Sequence, residues 1–441
     1  VLHGPDADVG DLPERAAAFI ARRVAHSPLG RTATVEELHA GLRDSIVEAG
    51  LGVDEAWRRF TDVIVPATVG LDSERFLAFV PMSPSVAGVW IDAVVGAVSF
   101  SAESWLEAAG AVAAENQALD FLRGLAGMPE GSGGCFISGG SLGNLSALAV
   151  ARERAGSRRT VLVADTAHAS VHNSLHLLGL DALEVPTDRG GRLRGADARE
   201  VVGNRHDIGI VVAAGGSTNG GVVDDLAGVG ELAADLGAWF HVDAAYGGAA
   251  LLLPELRPLF DGIEHADSLI IDPHKWLFAP GGSCALLYRR PEEAAAVHTQ
   301  HGPYIDLIHH DGHEWNPADY GYQLTRRASG MPLWFALALH GVEAHRVAVR
   351  RGVELAQAFA AAVAASDVAE MVLQPELGVV LFRRHGWGRD EWREWAARLL
   401  RDGIAFVAPS MWRGEPVGRL VFMHPRTPDS IVDEILATLA A

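Results

Sequence analysis

The chain has 441 residues, 49% of them hydrophobic and 21% charged, with a formal net charge of −20. That length suits two or three domains sharing a large core, and the dispersed acidic balance disfavours nucleic acid or an anionic membrane as the main partner. No stretch reaches the roughly 20 apolar residues of a membrane span, and the first residues lack the pattern of a signal peptide. Two cysteines, Cys135 and Cys284, without a CxxC pair suit a reducing, cytoplasmic setting rather than a disulfide framework.

In chain order, residues 1–65 read as helical, with an Arg/Glu-rich segment at 14–23 and another helix at 34–49. Residues 76–81 read as an extended apolar approach to a loop. Helical spacing returns over 105–125, punctuated by Gly127 and Pro129. Short β-rich runs then alternate with helical patterns, with strands predicted at 135–137, 160–164, 208–213, 239–242, 268–271 and 284–288. Such alternation predicts a mostly parallel sheet covered on both faces, with the site where strand ends meet loops. Residues 297–320 show no sustained period and read as a long functional loop. A long helix over 334–363 leads to strands at 378–382 and 419–423 and a last helix from Asp429. These fit a small terminal α/β unit.

Chemistry gathers at the strand ends. Asp272-Pro273-His274-Lys275-Trp276 follows an apolar strand and presents the single lysine of an Arg-rich chain. A desolvated lysine with a lowered pKa is an amine nucleophile toward an aldehyde; a surface lysine at a strand end fits the same residues. Asp243, in His241-Val242-Asp243-Ala244-Ala245-Tyr246, can pair with a pyridine nitrogen, or serve as a helix N-cap. Ser138-Gly139-Gly140-Ser141-Leu142-Gly143-Asn144 links a strand to an Ala/Leu-rich helix, which suits a phosphate cradle or a tight packing turn. His168 can stack on a cofactor ring. His168, His172 and His176 are spaced four apart, yet no carboxylate or cysteine completes an evident metal set, and no metal is expected. His309, His310 and His313 read as a polar loop.

In combination and at this separation, the Asp-Pro-His-Lys-Trp (272–276) and His-Val-Asp-Ala-Ala-Tyr (241–246) segments resemble the group II pyridoxal-phosphate-dependent amino-acid decarboxylases, above all the aromatic-L-amino-acid type. The resemblance runs from about Phe76 to Thr427. It implies an α/β PLP-dependent transferase fold of type I (aspartate-aminotransferase-like), with a mostly parallel central sheet and a small C-terminal α/β domain. The matching division is an N-terminal helical segment at 1–65, a large cofactor-binding domain at 66–335 and a small domain at 336–441. It also implies a homodimer with active sites at the subunit interface. Position by position, Lys275 matches the Schiff-base lysine, Asp243 the partner of the pyridine nitrogen and His168 the stacking residue. Ser141, Leu142 and His274 match phosphate-binding positions, Leu142 offering only its backbone N–H. Thr218 and Ala245 match cofactor-lining positions. Tyr304 matches the mobile-loop tyrosine that favours decarboxylation over oxidative chemistry. Two departures stand out: Asp272 stands where the aromatic enzymes have Asn, and His424 replaces Asn in an Asn-Pro-Arg-Thr segment.

The reading that follows is decarboxylation of an L-amino acid to its amine and carbon dioxide. Phe79, Pro81 and Met82 match a substrate-pocket segment, and their apolar character favours an aromatic or hydrophobic side chain. The rivals are a decarboxylating oxidative deaminase giving an aldehyde, against which Tyr304 and His168 argue, and a decarboxylase of an acidic or other polar amino acid. A cofactor-free binding protein is the non-enzyme rival.

Overall fold

In a computed structural model, which describes residues 9–309 and 315–440, seven strands form one sheet in the order β1-β7-β6-β5-β4-β2-β3. The strands are β1 Gly133–Ile137, β2 Thr160–Ala164, β3 Asp181–Val185, β4 Ile208–Ala214, β5 Trp239–Asp243, β6 Ser268–Ile271 and β7 Cys284–Tyr288. Neighbours from β6 to β3 pair in parallel, while β7 runs antiparallel to both β1 and β6. Strands β1 to β6 therefore all point the same way, and their C-terminal ends share one edge of the sheet.

Period-two alternation explains why these runs are almost wholly apolar. In β2, Leu162 and Ala164 pack into one core, and Val161 and Val163 into the core on the other face. Helices cover both faces, so neither set of side chains meets water. The edge strand β3 is the exception. Only Val185 is buried there.

The long helix Met331–Ala364, broken at Gly341 (φ 75°), leads to a second sheet. That sheet is wholly antiparallel, in the order β10-β11-β9-β8: β8 Ala369–Met371, β9 Val379–Arg384, β10 Ser410–Trp412 and β11 Glu415–Val421. Its core is aromatic, with Phe382 edge-on to Trp392 at 5.4 Å and to Trp395 at 6.2 Å. The two sheets are tied at the site. Tyr246 stacks on Trp276 at 5.3 Å, and its hydroxyl accepts the Gly378 N–H at 2.8 Å.

Near the N-terminus, helices span Leu12–Ala25, Val35–Gly41 and Gly52–Arg59. The helix expected through residue 49 stops at Gly41 and turns through Asp44 at positive φ (54°). A Cβ at Gly41 would lie 2.7 Å from Val63, so this close approach needs glycine. Among the described residues, no helix is long and apolar enough to cross a membrane, and both cysteines are buried and unpaired.

Candidate active site

A cavity of about 850 Å³ opens at the shared strand edge. Its walls come from the turns after β1 (Ser138 to Leu142), β2 (Thr166 to Ser170), β4 (Gly216 to Asn219), β5 (Asp243, Ala245) and β6 (Asp272, His274, Lys275). These turns sit together because six strands run in one direction and deliver their ends to one crevice. Ser141, Leu142, His168, Thr218, Asp243, Ala245, His274, Lys275 and Phe79, predicted from separate segments, all line it.

Lys275 lies on the short helix Pro273–Trp276, where Pro273 ends β6 and starts the turn. Its Nζ is 2.8 Å from Oδ2 of Asp272, which also accepts the Gly140 N–H at 3.3 Å. A Cβ on Gly140 would lie 2.9 Å from that carboxylate, so only glycine lets the helix Gly140–Ala155 start this close to the lysine. Burial alone pushes the Lys275 ammonium toward deprotonation, but the carboxylates of Asp272 and Asp243 outweigh it and raise the pKa. The expected lowered lysine pKa is therefore corrected: Asp272, the residue that departs from the aromatic enzymes, reverses the sign. His274 is anchored by Nδ1 donating to the Ser283 carbonyl at 2.5 Å.

Asp243 ends β5, and its two oxygens accept the Asn144 side-chain amide at 2.9 Å and the Ala245 N–H at 3.1 Å. His168 caps the helix Ala169–Leu178, with Nδ1 2.8 Å from the Ser170 hydroxyl and accepting the Ser170 N–H. His172, four residues on, lies beside Glu184 at 3.8 Å instead. The Leu142 N–H donates to the Gly139 carbonyl at 3.0 Å, which leaves Ser141 as the better anion donor at this helix start. Phe79 reaches the cavity through a left-handed backbone (φ 50°), which costs a bulky residue on the order of 1–3 kcal/mol and breaks the extended run expected there.

Three predicted residues are not among those lining the cavity. Pro81 is buried elsewhere, Met82 is turned toward Gly281, and Tyr304 is 78% exposed. His310 and His313 lie outside the described residues.

Two residues were missed. Asn144 was quoted only as the end of a glycine-rich turn, yet it bonds Asp243 directly. Arg419 on β11 is buried and lines the cavity. It donates to the carbonyls of Thr218 (2.6 Å) and Asn219 (3.2 Å) and has no carboxylate partner among the described residues. Burial lowers its pKa to about 10. The available signal was a lone arginine inside the apolar run Val417-Gly418-Arg419-Leu420-Val421. A charge inside such a run is rarely buried without a purpose.

The family model described as "Pyridoxal-dependent decarboxylase conserved domain" matches residues 38–385. The aromatic-L-amino-acid decarboxylase of Bacillus atrophaeus is 29% identical over 433 residues, covering 94% of this chain and 90% of that one. The L-2,4-diaminobutyrate decarboxylase of Rhizobium meliloti (strain 1021) is 29% identical over 412 residues, covering 89% and 82%. Among solved structures, Oryza sativa TDC with PLP and tryptamine superposes with a TM-score of 0.91 at 26% identity, covering 100% of this chain and 99% of that one.

Proposed function

The chain belongs to the pyridoxal-dependent decarboxylase family, and from that premise we propose that it releases carbon dioxide from an aromatic or hydrophobic L-amino acid to leave the amine. The observation that carries this reading is the gathering of Lys275, Asp243 and His168 around one cavity with the helix start at Ser141. The residues fit pyridoxal phosphate. Two buried polar atoms at the cavity, Thr166 Oγ1 and Asp272 Oδ1, have no hydrogen-bond partner among the described residues, and a Cβ at Gly139 would meet nothing nearer than His274 Cε1 at 3.9 Å, so this helix start is open to a ligand.

When bound, the cofactor supplies an electron sink for the pair left behind as the carboxylate departs. Lys275 would hold it through Nζ. Asp243, steadied by Asn144 and the Ala245 N–H, holds a proton at the ring nitrogen. His168 would wall the cavity beside the bound cofactor and keep water out. Ser141 and His274, with Leu142 beside them, would hold its phosphate, and Thr218 and Ala245 would line its pocket. Phe79 presents an apolar ring to the substrate side chain, with Pro81 and Met82 supporting that segment from outside the cavity. Tyr304 delivers a proton to the α-carbon.

A homodimer completes this arrangement. Tyr304 and Leu307 face outward from their own chain, and Val86, Trp90, Val94 and Val98 form an exposed apolar stripe at i, i+4, i+8 and i+12 on one helix. A partner that covers the stripe could receive the loop in its own site. The two unpaired buried cysteines suit the cytoplasm.

Arg419 favours a second reading, in which the substrate side chain is acidic. A buried guanidinium whose hydrogen bonds among the described residues go to backbone carbonyls is a ready receptor for a carboxylate. The two readings separate on a panel of L-amino acids assayed for carbon dioxide, amine and aldehyde. The first expects kcat/KM highest for an aromatic substrate, with amine as the product. Glutamate ahead of every aromatic substrate, and lost selectively in Arg419→Met, establishes the second. Aldehyde as the main product overturns the amine-forming reaction itself.

A further inference from the structure

Beneath the cavity a chain of hydrogen bonds joins side chains from four elements. Trp239 Nε1 donates to the Ser268 hydroxyl at 2.8 Å, and that hydroxyl lies 2.8 Å from His241 Nδ1. His241 Nε2 is 2.8 Å from Asn144 Oδ1. The Asn144 amide then forks, donating at 2.9 Å both to Asp243 Oδ2 and to the Ser170 hydroxyl, which lies 2.8 Å from His168 Nδ1. Asn144, His241 and Ser268 are all at most 1% exposed, so water cannot substitute for any of these partners.

The chemistry at the two ends fixes every proton between them. A carboxylate only accepts and an indole N–H only donates. Asp243 therefore turns the Asn144 NH₂ toward itself, which points Oδ1 at His241 and requires a proton on His241 Nε2. His241 Nδ1 must then accept from Ser268, whose oxygen is free to accept from Trp239. Burial pushes the His241 pKa down to about 4, against the pull of Asp243, in keeping with a neutral ring. On the other branch, Ser170 already accepts from Asn144, so its own proton goes to His168 Nδ1. The Ser170 backbone N–H donates to the same nitrogen at 3.2 Å.

We propose that Asn144 is a positioning residue that locks two groups at once, orienting the Asp243 carboxylate and, through Ser170, holding His168 as the tautomer with its proton on Nε2. The inference rests on the reading of Asp243 and His168 as cofactor-facing, although the tautomer itself does not. One amide thereby couples the floor of the ring site to its wall. A proton on His168 Nδ1 would leave the Ser170 hydroxyl with two donors and no acceptor, so this tautomer is disfavoured by the connectivity itself.

The test is solid-state ¹⁵N NMR of histidine-labelled holoenzyme, with His168→Gln identifying the signal, beside the dissociation constant for pyridoxal phosphate. The wild type is expected to show His168 unprotonated at Nδ1 and protonated at Nε2. Asn144→Leu should introduce the Nδ1-protonated form and weaken cofactor binding on the order of tenfold to a hundredfold, as for a lost bond to a charged group. Ser170→Ala, which leaves the Asn144–Asp243 bond in place, should disturb the tautomer while affinity stays within about threefold, well short of that loss. It also decides the matter if Asn144→Leu does not fold. A wild-type Nδ1 proton, or an unchanged tautomer in both variants, overturns the proposal. A shifted tautomer with unchanged affinity in Asn144→Leu instead overturns the cofactor-facing reading and leaves the hydrogen-bond lock standing.

Discussion

Beneath the cavity, Asp243, Asn144 and His241 are bonded to one another within one chain, on strands and helix starts packed from both sides. Away from the cavity, on what we term the rim segment, Tyr304 and Leu307 are 78% and 65% exposed on a stretch whose described secondary structure is two short 3₁₀ turns, Asp306–His309 and Pro317–Asp319. The floor residues are buried and hydrogen-bonded within the sheet, so they contribute to its cohesion as well as to the proposed site. The rim carries no such double duty. Holding a ring demands sub-ångström placement, whereas admitting substrate and then excluding water demands movement. Under the proposed roles, binding the cofactor and choosing the product are separable, and variants on the two sides should fail differently.

The largest effect that separates them is expected at the rim. Tyr304→Phe should keep the cofactor and bind substrate, yet lose amine formation by about a hundredfold, the usual scale of a positioned proton donor, with aldehyde appearing in its place. Mixing Tyr304→Phe subunits with Lys275→Ala subunits sharpens the point. If loop and lysine come from different chains, one of the two sites in a mixed dimer carries neither lesion and activity partly returns. No recovery despite verified subunit exchange would put Tyr304 in its own chain's site, or outside the chemistry.

A smaller effect is expected at the floor. Lys275 is pushed down by burial and raised by Asp272 and Asp243, with Asp272 the nearer at 2.8 Å. Asp272→Asn removes the stronger of the two carboxylate influences, so the amine pKa should fall. Only the unprotonated amine attacks an aldehyde. Capture of pyridoxal phosphate by the cofactor-free variant should thus be faster than wild type at neutral pH, with the capture-versus-pH curve displaced to lower pH. A curve displaced upward, or unmoved, would mean that Asp272 does not govern Lys275.

The same contrast decides what was legible in the sequence. Strands β2, β6 and β7 end where the apolar runs end, because a strand buried on both faces must be apolar throughout. Asp243 and Lys275 were readable for a related reason: Asp243 ends such a run, and Lys275 follows another through the proline that fixes its turn. Strand β3 escaped notice because it is an edge, with Val185 alone buried. Helix Val86–Val98 escaped because valine and glycine lie on all its faces, which blurs the 3.6-residue period, and its Ser85 cap, bonded to the Gly88 N–H at 3.0 Å, was not recognised. Asn144 has no local signal, since its partner Asp243 lies about 100 residues away in the chain, and the apolar run around Arg419 marks that residue as buried without identifying its partners about 200 residues away. The lysine pKa was misjudged because burial was weighed without the carboxylate three residues earlier.

The account stands or falls on the bond at Lys275. The holoenzyme should be treated with borohydride, digested, and its peptides analysed by mass for the pyridoxyl group. The account predicts a single modified peptide spanning Asp272 to Trp276, with the added mass on Lys275, and no such peptide from Lys275→Ala. A cofactor fixed to another residue, or fixed equally well in the variant, would contradict it.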